Sequence, residues 1–349
     1  MESRPAPLSD RRAVAAWLFV CAAMVFAMVL IGGITRLTES GLSIVEWQPL
    51  IGAIPPFSEA DWQALFAKYQ ASPQFKQINQ AMTLAEFKTI FWWEYVHRLW
   101  GRLIGVAFLG PFLWFLSRRA VRGALAWKLA GIFALGGLQG AMGWYMVASG
   151  LVDRPEVSQY RLTAHLGLAL LIYALLVWTA LKLSRDETMH ASPALAGLKS
   201  FQRGASALLV LVTLTILAGG FVAGLDAGLI YNTFPLMEGR VVPPDYLMTR
   251  PWWRDLFENR ATVQFHHRVL AVATVIAAAL YAQRAIKSAA SPPIRRAAIA
   301  LAHLAVLQAA LGIATLLLVV PAPLAALHQA GAMALFTLAL WLRFAVTRQ

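Results

Sequence analysis

Eight apolar runs, at residues 13–34, 91–116, 124–148, 162–183, 201–223, 262–283, 295–319 and 323–346, set the fold class of this chain. Each is long enough, at roughly 20 residues, to cross a hydrocarbon layer as a helix. Inside that layer every backbone N–H and C=O must find its partner within its own segment, which a helix provides. The expectation is an all-α membrane protein with eight transmembrane helices. Composition agrees, because 59% hydrophobic and 13% charged residues make a chain of 349 residues too apolar for a soluble domain of that size.

The net charge of +13 raises nucleic acid as a partner. Placing the charges by connector removes that reading: the apolar runs leave no basic face for a duplex. Arg118, Arg119, Arg122, Lys182, Lys199, Arg203, Arg284, Lys287, Arg295 and Arg296 gather in the short connectors after the second, fourth and sixth runs, and both termini are basic. By the positive-inside rule these connectors and both termini are cytoplasmic. The polar segment 1–12 leads into a run without a small-residue cleavage site, so the first span is expected to stay uncleaved. Segments 35–90 and 224–261 then lie on the opposite side, where they carry interfacial aromatics such as Trp62, Trp92 and Trp252 and are candidate lids over a site. The single cysteine, Cys21, allows no intramolecular disulfide and no cysteine-based cluster within one chain.

The sequence repeats. Gly32-Gly33 with Gly41-Leu42 matches Gly219-Gly220 with Gly228-Leu229 at one constant offset, and Leu138-Gln139 with Gly143 matches Leu307-Gln308 with Gly312. Small residues recur in any helix bundle because helices need close approach. The pairs His97-Arg98 and His267-Arg268 make the repeat persuasive. The chain is therefore expected to comprise two pseudo-symmetric, parallel four-helix bundles, residues 1–190 and 191–349, related by an axis along the membrane normal.

Of seven histidines, four follow this repeat: His97 and His267 open the second and sixth spans, His165 and His328 the fourth and eighth. Each half thus offers two imidazoles at similar depth. Two histidines are too few for a zinc site, and the Glu-x-x-His clusters of a di-iron bundle are missing. A haem brings four nitrogens of its own and asks the protein for one or two axial ligands. The four histidines therefore read as axial ligands to two haem irons. His190, His266 and His303 fall outside the pattern and read as non-ligands. Arg98 and Arg268 either pair with haem propionates or reach for lipid phosphate.

The repeat breaks at one place. Three residues before the histidine stands Glu94 in the first copy and Gln264 in the second. A carboxylate one helical turn from a ligand histidine either takes part in chemistry at the edge of the macrocycle, as base, acid or charge stabiliser, or orients His97 or a neighbouring Arg.

At the level of motifs the chain resembles the haem A synthases of the mitochondrial and alphaproteobacterial kind. The resemblance is carried by Gly33-Ile-Thr-Arg36-Leu-Thr-Glu-Ser-Gly41-Leu-Ser, Glu94-Tyr-Val-His97-Arg98, Leu138-Gln-Gly-Ala-Met-Gly143, Asn232-Thr-Phe-Pro235-Leu-Met, Gln264-Phe-His-His267-Arg268 and Leu327-His328-Gln. It implies an inner-membrane enzyme that oxidises a methyl substituent of haem O to a formyl group, giving haem A for cytochrome oxidase. It further implies a haem B cofactor held by His267 and His328 near Arg268, substrate haem O near His97, His165 and Arg98, and Glu94 as the catalytic carboxylate. Other bacterial members carry a cysteine pair in the first extracytoplasmic loop. Residues 35–90 hold none, so the resemblance is to the cysteine-free branch. Its implied partners are a haem O synthase that hands over substrate and an electron-transfer partner. The alternative from another class is a di-haem b-type electron-transfer protein, which needs a haem near each membrane face. All four histidines instead fall toward one side.

Overall fold

The computed structural model describes residues 8–46, 51–152, 155, 157–184, 198–288 and 290–347. Its helices are, in order, α1 (Leu8–Leu37), α2 (Glu59–Gln70), α3 (Pro73–Gln77), α4 (Leu84–Ser117), α5 (Gly123–Gly150), α6 (Gln159–Leu183), α7 (Leu198–Gly224), α8 (Trp252–Glu258), α9 (Arg260–Lys287), α10 (Pro292–Leu317) and α11 (Ala322–Val346). Among the described residues there is no strand, only an isolated bridge between Met237 and Arg240. Eight helices, α1, α4 to α7 and α9 to α11, are long and apolar enough to cross a membrane, one for each apolar run.

The helices outrun the apolar segments. α4 begins at Leu84, two turns before the apolar run, so Glu94 and His97 sit well inside the helix rather than at its start. Local chemistry explains the extension. Thr83 accepts from the Glu86 N–H while the Glu86 side chain accepts from the Thr83 N–H, a capping box that sets the first turn. The added turns are held by an aromatic core that joins Trp62, Tyr69 and Phe87 to Phe91 and Tyr95 at the start of the apolar run, with α2 against the start of α4. α2 carries its own capping box, and the Ser58 hydroxyl and N–H hold the Asp61 carboxyl below its ordinary range. Part of segment 35–90 is thus a packed cap, tied to the turn after α1 by Gln74, whose amide donates to the Glu39 carbonyl at 2.9 Å.

The chain divides into two compact units, Met1–Ser184 and Arg185–Gln349. In the first, α1 packs between α4 and α6, and α5 completes the ring against α6 and, more loosely, α4. In the second, α7 packs between α9 and α11, while α10 lies closely along both α9 and α11. The order of helices within each ring is the same. Large apolar side chains on outward faces, such as Leu113 and Trp114 on α4 and Leu138 on α5, remain exposed, as lipid-facing residues are.

Candidate functional site

The glycines that mark the sequence repeat are the seats of the four histidines. Gly32 of α1 faces His97 of α4, and a Cβ there would lie 3.3 Å from Nε2; Gly143 of α5 faces His165 of α6 at 3.2 Å. In the second unit Gly219 of α7 faces His267 of α9 at 3.1 Å, and Gly312 of α10 faces His328 of α11 at 2.7 Å. Each imidazole lies where a side chain on the neighbouring helix would stand. In the sequence these glycines serve only as repeat markers, because their spacing to the histidines differs between the two copies.

His267 and His328 approach with ring centroids 6.4 Å apart and planes 88° apart. That separation leaves room for one metal atom between the two rings. The His267 Nδ1 lies 3.1 Å from the Thr215 carbonyl, which only accepts, so Nδ1 carries the proton and Nε2 presents a lone pair. The Gln308 amide nitrogen donates to the His328 carbonyl at 2.7 Å and stands 3.0 Å from His328 Nδ1, while its oxygen is buried without a hydrogen-bond partner. Gln139 donates in the same way to the His165 carbonyl at 3.1 Å, yet His165 Nδ1 is buried without a hydrogen-bond partner. The second imidazole pair is thus tied more firmly than the first. Among the described residues no three His, Cys, Asp or Glu side chains gather around one point. A metal that brings its own ring of nitrogens suits such paired ligands.

Glu94, 2% exposed, accepts from four donors: the Ser43 hydroxyl and Ile44 N–H, each at 2.7 Å on Oε2, and Arg98 Nε at 3.0 Å and Nη2 at 2.6 Å on Oε1. That is the pattern of a carboxylate, which only accepts. Gln264 stands at the equivalent place and reverses the polarity on its amide side. Its nitrogen donates to the Ala227 and Ile230 carbonyls at 2.7 and 2.6 Å, while its oxygen accepts from Arg268 at 3.0 Å. The loop backbone has adjusted to each residue, so the break in the repeat is built into the structure around it.

Arg98 donates to the Ile44 and Glu46 carbonyls at 2.8 and 3.1 Å, and Arg268 to the Tyr231 and Thr233 carbonyls at 2.7 and 2.8 Å. Both arginines clamp the same two loop positions to the helix that carries the histidine. Sequence reading missed this clamp because no motif marks the carbonyls that accept. His266 turns toward Tyr246, 3.2 Å from its hydroxyl, and His303 toward the carbonyl one turn back in its own helix. His190 lies outside the described residues. In the first unit a cavity of ≈ 230 Å³ opens between Ile44, Val45, Glu46 and Arg98 on one side and Trp144 and Val147 of α5 on the other.

Eight membrane-length helices in two four-helix units, each with a glycine-seated histidine pair, define a multi-pass membrane protein. The comparisons with known proteins are specific. Residues 15–340 match the family described as cytochrome oxidase assembly protein, and the chain belongs to that family. It is 55% identical over 340 residues to a heme A synthase of Nitrosospira multiformis, covering 97% of this chain and 95% of that protein. It is 49% identical to heme A synthases of Nitrosomonas eutropha, over 97% of this chain and 96% of the relative, and of Parvibaculum lavamentivorans, over 95% and 94%.

Proposed function

We propose that this protein is a haem A synthase, an oxidoreductase that converts a methyl substituent of haem O to a formyl group in two successive oxidations. The observation that carries the reading is the perpendicular His267–His328 pair at 6.4 Å, found in a chain so similar to proteins of that name. His267 and His328 would hold haem B, with Arg268 fastening the loop above; a bound haem B supplies one-electron redox chemistry. Haem O would occupy the first unit, facing His97 and His165.

With oxygen entering at the level of water, the methyl group and one water become the formyl group with release of four protons and four electrons. The first oxidation gives an alcohol, the second a gem-diol, and loss of water leaves the aldehyde. Glu94 is assigned the catalytic role. Held by four hydrogen bonds in a buried site, its fixed carboxylate opposes positive charge developing on the methyl carbon at no cost of reorganisation during the reaction. Arg98, bound to the same carboxylate, keeps it in place. The electrons leave to a separate electron-transfer partner, and a haem O synthase is the natural donor of so apolar a substrate. The basic connectors at 118–128, 182–203 and 284–296 favour an orientation with both termini cytoplasmic, and the family resemblance implies an inner membrane location.

The test is to express the full chain with haem O available, extract the pigment from the purified protein and identify it. Haem A together with haem O and haem B is expected. Haem B alone in both sites would overturn the enzyme reading in favour of an electron conduit.

A further inference from the structure

Asn232 belongs to a motif that the proposed chemistry leaves without a task. Its amide nitrogen donates at 2.8 Å to the Gly228 carbonyl of its own loop and at 2.8 Å to the Leu316 carbonyl in the last turn of α10. The Leu316 carbonyl already accepts from the Val319 N–H at 3.1 Å, and the Asn232 amide is a further donor to it that latches the loop onto the bundle. The offset that pairs Gly32 with Gly219 pairs Val45 with Asn232, and the offset that pairs Gly143 with Gly312 pairs Val147 with Leu316. Valine has no side-chain donor. Where the second unit is latched, the first holds the ≈ 230 Å³ cavity lined by Val45 and Val147.

Two residues that line the cavity neighbour a histidine of the first unit or its glycine seat in sequence. Trp144 follows Gly143, the seat of His165, and Arg98 follows His97; both line it. The looser packing of α5 on α4 and the unpartnered Nδ1 of His165 lie in the same unit. The latch at Asn232 and the closer packing of α10 on α9 set the second unit apart from the first.

Resting on the haem reading above, we propose that Asn232 and Val45 decide which porphyrin is retained and which is exchanged. The Asn232–Leu316 latch makes the second unit a permanent holder, and valine at the equivalent position leaves the first unit a mouth through which substrate and product pass. These are positioning residues that act through the loop. Neither is assigned any contact with iron or with the reacting carbon.

The experiment measures haem release from the purified full-length protein to excess apomyoglobin, with the released pigment identified as A, O or B. Wild-type protein is expected to give up haem O and haem A readily and haem B slowly. Asn232→Val should speed haem B release about tenfold, the effect of losing roughly one to two net hydrogen bonds. Val45→Asn, which offers an amide to the Val147 carbonyl across an existing space, should slow release from the first unit by a similar factor and leave haem B unmoved. If Asn232→Val does not yield folded protein, Val45→Asn decides alone. Wild-type release rates from Val45→Asn would overturn the inference while leaving the enzyme reading intact. A wild-type protein without any haem would remove both, and that outcome is distinguished by its lack of colour.

Discussion

The indole N–H of Trp17 on α1 donates to the carbonyl of Ala107 on α4 at 2.8 Å, and Ala107 is the residue whose helical partner is lost to Pro111. Proline four residues on has no N–H to give, so the carbonyl would otherwise face an apolar interior unpaired. Cys21 Sγ lies 3.9 Å from the same oxygen. A proline inside a membrane-length helix is thus accommodated by a tryptophan on its neighbour. Trp17→Phe keeps most of the ring packing and removes the donor. Thermal unfolding in detergent should show a loss of about 1–2 kcal/mol, within the range for a buried hydrogen bond between membrane helices, with haem content unchanged.

Gly312→Ala should expel haem B. The added Cβ would lie 2.7 Å from Cε1 of His328, closer than real contacts come, and Gln308 holds that ring from its other nitrogen. Gly219→Ala, at 3.1 Å from His267, should weaken the same site less. Gly131→Ala on α5, where nothing lies within 4 Å, is the control and should leave the visible spectrum as it was. A normal low-spin spectrum from Gly312→Ala would mean that His328 is not a ligand.

The eight helices were legible because a bilayer leaves the chain so few choices, and period and length alone located α1, α4 to α7 and α9 to α11. The four histidines were legible because the sequence repeats. What stayed hidden was made by backbone groups, which carry no sequence letter. Arg98 and Arg268 were read as partners of propionate or lipid, and both guanidiniums hold loop carbonyls. The early start of α4 was hidden for a different reason: its first turns are polar outside and aromatic inside, so an apolar-run criterion passes over them.

Glu94→Gln should keep haem B and stop formation of the aldehyde, so that haem O accumulates in the extracted pigment. An amide cannot accept from Ser43, Ile44 and Arg98 all together, so the substitution also loosens the loop. Ser43→Ala separates the two effects. It removes one 2.7 Å donor and keeps the carboxylate, and haem A should still form. Undiminished haem A from Glu94→Gln would take Glu94 out of the chemistry.

Gln264→Glu, which makes the two copies alike, should destabilise the second unit rather than create a second reactive site. The new carboxylate would face the Ala227 and Ile230 carbonyls where the amide now donates to both, with only Arg268 as a donor. A buried acceptor set against acceptors costs about 2–4 kcal/mol. Differential scanning of the purified protein should report a lower midpoint together with loss of haem B absorbance.

Gln308 and Gln139 make the same bond to the backbone of one of the four paired histidines, and only Gln308 also stands against the ring. Substituting leucine at each position therefore separates backbone anchoring from ring orientation. Gln308→Leu leaves the His328 imidazole free to turn about its side-chain bonds. The perpendicular setting of its plane against His267 should then relax, and such partners of metal-bound histidines are worth 10–100-fold in affinity. If His267 and His328 hold a haem iron as proposed, the electron paramagnetic resonance spectrum of the oxidised protein would report the angle between their planes. A shift of its low-field signal, with faster loss of haem B, is expected for Gln308→Leu. Gln139→Leu should leave that signal in place, because His165 Nδ1 has no such partner to lose. An unmoved signal in Gln308→Leu would show that the glycine seat at Gly312 alone sets the ring.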